Sequence, residues 1–145
     1  PDKLRADVLK MRGDMAANKP PRGPLDAKLL RGGLVDLEFL VHYLQLRDRT
    51  AFDPDLGAAV RALSNGGLLG QEMEAAHDLL TRMLVATRLL APELAPPAPA
   101  AAWVLARACG HETIDGLLAA CKAVRHGVAR EWQRHFAAEL EMDHD

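Results

Sequence analysis

Apolar residues recur along this chain at spacings of three and four, the period of an amphipathic helix, and proline or glycine punctuates the runs. Leu4, Val8, Met11 and Met15 set one stripe and predict a first helix from Lys3 to about Ala17. Asn18-Lys19-Pro20-Pro21-Arg22-Gly23-Pro24 cannot continue it, because its prolines lack N–H donors and its glycine adds freedom; residues 18–27 are expected to be a Pro-rich connector and a hinge. A second helix is predicted from Gly33 to Arg49, apolar on nearly every side, and so a long central helix buried on several faces. Asp53-Pro54 predicts an N-cap and first turn for a third helix, with Leu56, Val60 and Leu63 inward and Asn65-Gly66-Gly67 as its stop. A fourth runs from Gln71 to Leu90, with Met73, Ala76, Leu80, Met83 and Leu90 inward, and ends at Pro92. Residues 91–99 read as a second Pro-rich connector, and a short fifth helix spans Ala100 to Ala108 before Gly110. Thr113 caps a long last helix carrying Ile114, Leu117, Cys121, Val124, Val128, Trp132 and Phe136. The acidic tail from Glu141 to Asp145 is expected to fray.

Composition strengthens the helical reading. The chain has 25 Ala and 24 Leu against one Ile, eight Val and four Thr, and no stretch alternates apolar and polar over the length of a strand. The fold expected is all-α, a single bundle of about six helices. Its 145 residues suffice to bury about 70% of the unfolded surface without a disulfide or metal. With 18 Lys+Arg against 20 Asp+Glu, no basic excess exists to match a nucleic acid's phosphates. No segment approaches the roughly 18 apolar residues of a membrane span, and no signal peptide opens the chain. Cys109 and Cys121 read as reduced thiols in a cytoplasmic core. The opening Pro1-Asp2-Lys3, without Met, suggests a piece of a longer protein.

The common catalytic motifs are missing: no GxxxxGK[ST] loop, no GxSxG elbow, no HExxH pair. No catalytic or metal-ligating residue is assigned, and the six histidines are too scattered to share a metal. One cluster remains. Lys28 and Arg31 precede the Gly32-Gly33 pair, and a helix begins directly afterwards. Exposed N–H groups at a helix start, beside two cations, could hold an anion; the commoner use of such a glycine pair is simply a tight turn into the helix. Asp36 and Glu38 sit two residues apart, which on a helix turns them about 160° from each other, so they cannot chelate one metal. Glu38, flanked by Leu34, Val35 and Val41, is expected to be a partly buried structural hub. Asp36 is expected to serve an interface together with Lys28 and Arg31.

The run Gly32-Gly33-Leu34-Val35-Asp36-Leu37-Glu38-Phe39-Leu40, with Lys28 before it and Tyr43-Leu44 after it, resembles a known motif. This is the GG-hydrophobic-x-[DE]-hydrophobic-E-F pattern of helical domains in the glutamine synthetase adenylyltransferase/adenylyl-removing enzyme family; PII uridylyltransferases carry a related domain. Asn65-Gly66-Gly67-Leu68-Leu69 and Leu105-Ala106-Arg107-Ala108-Cys109-Gly110 extend the resemblance over nearly the whole chain. It implies a helical domain that follows a nucleotidyltransferase domain in a multidomain cytoplasmic enzyme using ATP and Mg²⁺. Glutamine synthetase and the PII signal protein are the implied partners. The Gly-Ser loop and Asp-x-Asp pair of the catalytic domain are absent here, the one Ser being Ser64, so the resemblance implies a non-catalytic regulatory or scaffolding part. Asp36 and the end of the chain after its last helix suggest the adenylyltransferase half and a C-terminal position. The alternatives are the helical domain of a PII uridylyltransferase or a free-standing interaction adaptor.

Overall fold

A computed structural model describes residues 2–142. Six helices follow in order: α1 (Asp2–Asn18), α2 (Leu34–Asp48), α3 (Leu56–Asn65), α4 (Glu72–Leu90), α5 (Pro99–Ala108) and α6 (Ile114–Phe136). There are no strands among the described residues, and the architecture is the all-α bundle expected. No helix is long and apolar enough to cross a membrane among the described residues. Of the acidic tail, Asp143, His144 and Asp145 lie outside them.

The helix ends follow local chemistry. Thr113 accepts a hydrogen bond from Gly116 N and starts α6, as its sequence position predicts. The cap of α3 is Asp55 rather than Asp53: Asp55 accepts from Ala58 N at 2.8 Å, and Asp53 instead accepts from Asp55 N at 2.9 Å. Asp-Pro-Asp offers two carboxylates, and the second is the one in register with the free N–H groups of the helix. Pro99 occupies the first turn of α5, where its missing N–H costs nothing.

Two apolar clusters hold the bundle. One gathers α2, α3, the start of α4 and the end of α6 around Leu40, Leu44, Val60, Met73, Trp132 and Phe136. The Phe136 ring lies 4.5 Å from that of Tyr43 and 4.4 Å from that of Trp132. The other gathers the end of α4, α5 and the start of α6 around Leu80, Met83, Leu105, Leu117 and Cys121. Val124 of α6 packs against both. Cys121 is buried and its thiol is pushed up to about 11 by loss of water; burial also raises that of Cys109.

The first connector departs from expectation. Asn18 still belongs to α1, and Leu25, Asp26, Ala27 and Leu30 are buried. Asp26 accepts from Arg22 N at 3.0 Å and from Leu29 N at 3.1 Å, so the second half of this segment is folded against the core. The prolines end α1, but the apolar residues after them dock. Helix α1 also lies turned from its expected face. Met11 is 60% exposed, whereas Leu4, Val8 and Leu9 pack on the core and Arg12 is buried between them. The inward face is centred on Arg12, about 60° round the helix from the expected stripe.

The end of α6 clamps the turn between α3 and α4. Glu131 accepts from Gly70 N and from Arg134, while Arg134 and His135 reach the Leu68 carbonyl at 3.1 and 2.8 Å. Burial alone would raise the Glu131 carboxyl. The hydrogen bonds from Arg134 and Gly70, with the positive charges of Arg134 and His135, outweigh it and hold the group below its ordinary 4.5. The folded state therefore resists protonation there. This contribution is complete above pH 4.5 and fades as pH falls through the lowered value. Glu131→Ala is expected to cost about 1–3 kcal/mol at neutral pH, because it leaves the Gly70 N–H unmet. It should also flatten part of the loss of stability below pH 4.5. Urea melts of both proteins at neutral and acid pH check this, and an unchanged acid slope would refute it.

Candidate functional site

The segment Lys28–Phe39 folds as a tight turn into α2, and its geometry is set by the glycines. Gly32 adopts φ +77°, and a Cβ there would drive into the backbone of Arg125 on α6. A Cβ on Gly33 would meet the carbonyls of Ala27 and Leu30. Both positions are therefore closed to side chains, by conformation and close approach at the first and by close approach at the second. Arg125 Nε donates to Arg31 O at 2.9 Å, which fixes the turn to α6 from 94 residues away.

Four N–H groups at the start of α2 are engaged inside the turn. Gly33 N donates to Leu30 O at 2.8 Å, Leu34 N to Ala27 O at 2.9 Å and Val35 N to Lys28 O at 3.1 Å. Gly32 N donates to Asp36 Oδ2 at 2.6 Å. These four donors are met within the turn, the arrangement expected of the tight-turn alternative for Gly32 and Gly33.

Asp36 is the centre of the site. It is fully buried, and Arg12 Nε of α1 donates to its Oδ1 at 2.5 Å. Arg31 Nε lies 3.4 Å from Oδ2, beside the Gly32 N–H. One carboxylate thus joins α1, the turn and α2. Arg12 Nη2 reaches Leu29 O at 3.5 Å, and Nη1 is buried with no hydrogen-bond partner. Glu38, expected to be the buried hub, is exposed. The two carboxylates do point apart, but the inward one is Asp36, because α1 covers the side of α2 from which Asp36 projects.

Of the residues singled out in the sequence, Arg31, Gly32, Gly33 and Asp36 come together. Lys28 stands apart and exposed, lining a cavity of about 230 Å³ with Arg22 and Arg88. Asp36 has no surface to offer an interface. Arg12 and Arg125 were missed. Arg12 had a visible signal: it lies amid Leu4, Val8, Leu9 and Met15, at the centre of the face that packs. Arg125 had none, since its role rests on the close approach of a distant turn. His, Cys, Asp and Glu side chains do not gather in threes in metal-binding geometry among the described residues.

Comparison with known proteins gives one name repeatedly. The chain is 38% identical over 84 residues to the bifunctional glutamine synthetase adenylyltransferase/adenylyl-removing enzyme of Rhizobium meliloti, covering 54% of this chain and 8% of that protein. The enzyme of that name from Caulobacter vibrioides is 44% identical over 69 residues, which is 46% of this chain and 7% of the relative. That from Stenotrophomonas maltophilia is 35% identical over 137 residues, or 83% of this chain and 13% of the relative. The chain spans only these small shares of the curated relatives it matches. No protein-family model and no solved structure matches it. Its curated relatives all carry the one name, and the chain is homologous to part of the bifunctional glutamine synthetase adenylyltransferase/adenylyl-removing enzymes.

Proposed function

We propose that this chain is a non-catalytic helical segment of an enzyme that adenylylates and deadenylylates glutamine synthetase, and that it scaffolds a neighbouring nucleotidyltransferase domain. The observation that carries the reading is the use made of the motif. Its glycines, its N–H groups and its buried carboxylate are all engaged in holding α1, α2 and α6 together. Such a motif sets the shape of a surface instead of performing chemistry on it. Lys28, exposed at the outer edge of the turn, is the side chain offered to the catalytic domain, while Arg31 braces Asp36 behind it. ATP and Mg²⁺ would be bound by that domain, and the PII protein would act on the whole cytoplasmic enzyme. The names of the relatives favour this over a PII uridylyltransferase or an isolated adaptor.

Incubated with glutamine synthetase, labelled ATP and Mg²⁺, the chain alone is expected to transfer no label. In the complete enzyme, Lys28→Glu should reduce adenylylation while leaving the melting temperature of the chain unchanged. Label transfer by the chain would overturn the non-catalytic assignment. Full activity of the Lys28→Glu enzyme would overturn the contact.

A further inference from the structure

The cavity beside Lys28 concentrates positive charge in a chain whose net charge is −2. Arg22 and Lys28 line it from the segment before α2, and Arg88 from the last turn of α4. Leu25, Leu84 and Leu94 supply apolar wall, around a volume of about 230 Å³. Three cations thus share the lining with one carboxylate, Asp26, an excess of two positive charges.

That excess is not neutralised inside the fold. Asp26 is buried, and its two oxygens accept from Arg22 N and Leu29 N at 3.0 and 3.1 Å. Glu93, outside the lining, reaches Arg22 at 3.6 Å with its side chain 86% exposed, a pair worth little in water. Lys28 and Arg88 pair with no carboxylate among the described residues. Two unpaired cations therefore line one cavity from different elements, one on the turn and one on α4. An anion between them relieves their repulsion. A singly charged carboxylate would match one of them, and a dianion matches both. The lysine ammonium and the arginine fork are the groups that hold phosphate oxygens, and apolar walls strengthen the attraction by lowering the local dielectric.

We propose that this cavity is a binding site for the dianionic phosphate group of a small molecule. The inference does not depend on the catalytic context assigned above, and Arg88 separates the two. A ligand in the cavity needs Lys28 and Arg88 together, whereas the contact with a neighbouring domain was assigned to Lys28 alone.

Titration calorimetry of this chain in phosphate-free buffer at about pH 8 tests it, since a phosphate monoester, with its second pKa about 6, is then a dianion. The probes are phenyl phosphate, inorganic phosphate and benzoate. Phenyl phosphate should bind in the millimolar range or tighter, and benzoate, with the same ring and one charge fewer, about tenfold more weakly. Inorganic phosphate as tight as phenyl phosphate would identify free phosphate as the ligand; a tighter ester would identify a phosphate that carries an apolar substituent. Lys28→Gln and Arg88→Gln should each weaken the phosphate probes about tenfold. Arg82→Gln, on the same helix but at a residue paired with Asp78 at 3.1 Å, should leave them unchanged. These three side chains are exposed, so circular dichroism should show closely similar melting. No binding at about 10 mM phenyl phosphate, benzoate as tight as phenyl phosphate, or an equal loss in Arg82→Gln would overturn the proposal. So would phosphate affinity indifferent to Lys28→Gln and Arg88→Gln, a result that leaves the contact of Lys28 with a neighbouring domain standing.

Discussion

Asp36→Ala is expected to lower the stability of this chain by about 3–5 kcal/mol, while Glu38→Ala changes it by no more than about 0.5 kcal/mol. The first removes a buried carboxylate that three donors share and leaves the Arg12 guanidinium without its counter-charge beneath α1. The Gly32 N–H loses its acceptor in the same step. The second removes an exposed charge. Against a total of about 5–15 kcal/mol for a domain, the first loss is a large fraction. Replacing both partners, Arg12→Met with Asp36→Leu, should recover much of it, because no charge is then stranded in the interior. The double variant should remain about 1–3 kcal/mol below the parent for the unmet Gly32 N–H. Urea melts of the four proteins decide the matter. If Glu38→Ala proves the more damaging, Asp36 is not the hub.

Gly32→Ala is the second large effect, at about 2–5 kcal/mol. Left-handed backbone costs a non-glycine residue about 1–2 kcal/mol, and forcing α6 away from the new Cβ costs about 1–3 kcal/mol more. Gly67 separates the two contributions. It adopts φ +78°, nearly the value at Gly32, but a Cβ there meets nothing within 4 Å. Gly67→Ala should therefore cost only the conformational part, about 1–2 kcal/mol. Equal losses in the two variants would show that the approach of Arg125 carries no energy.

Most of the fold was legible because Pro, Gly and a capping Thr cut an Ala- and Leu-rich chain into segments with one period each. The candidate site was legible only in part, and the reason lies in α2. A helix apolar on nearly all sides has no single inward direction, so periodicity could separate Asp36 from Glu38 but could not say which one faced the interior. That choice was made by α1, whose Arg12 supplies the counter-charge from 24 residues away. The α1 stripe was in turn drawn on hydrophobicity alone, which placed Met11 inside and left Arg12 out. A charged residue at the centre of an apolar face was the clue, and it pointed to a buried partner of opposite sign.

The last helix packs on α2, α4 and α5 in a way that orders events in time. Its first half completes the cluster that includes α5, its second half completes the one that includes α2 and α3, and Arg125 between them pins the glycine turn. On a ribosome the N-terminal helices therefore emerge with both apolar clusters still open. Neither cluster closes until α6 has cleared the exit tunnel, so no half of the bundle is finished in advance of its last helix.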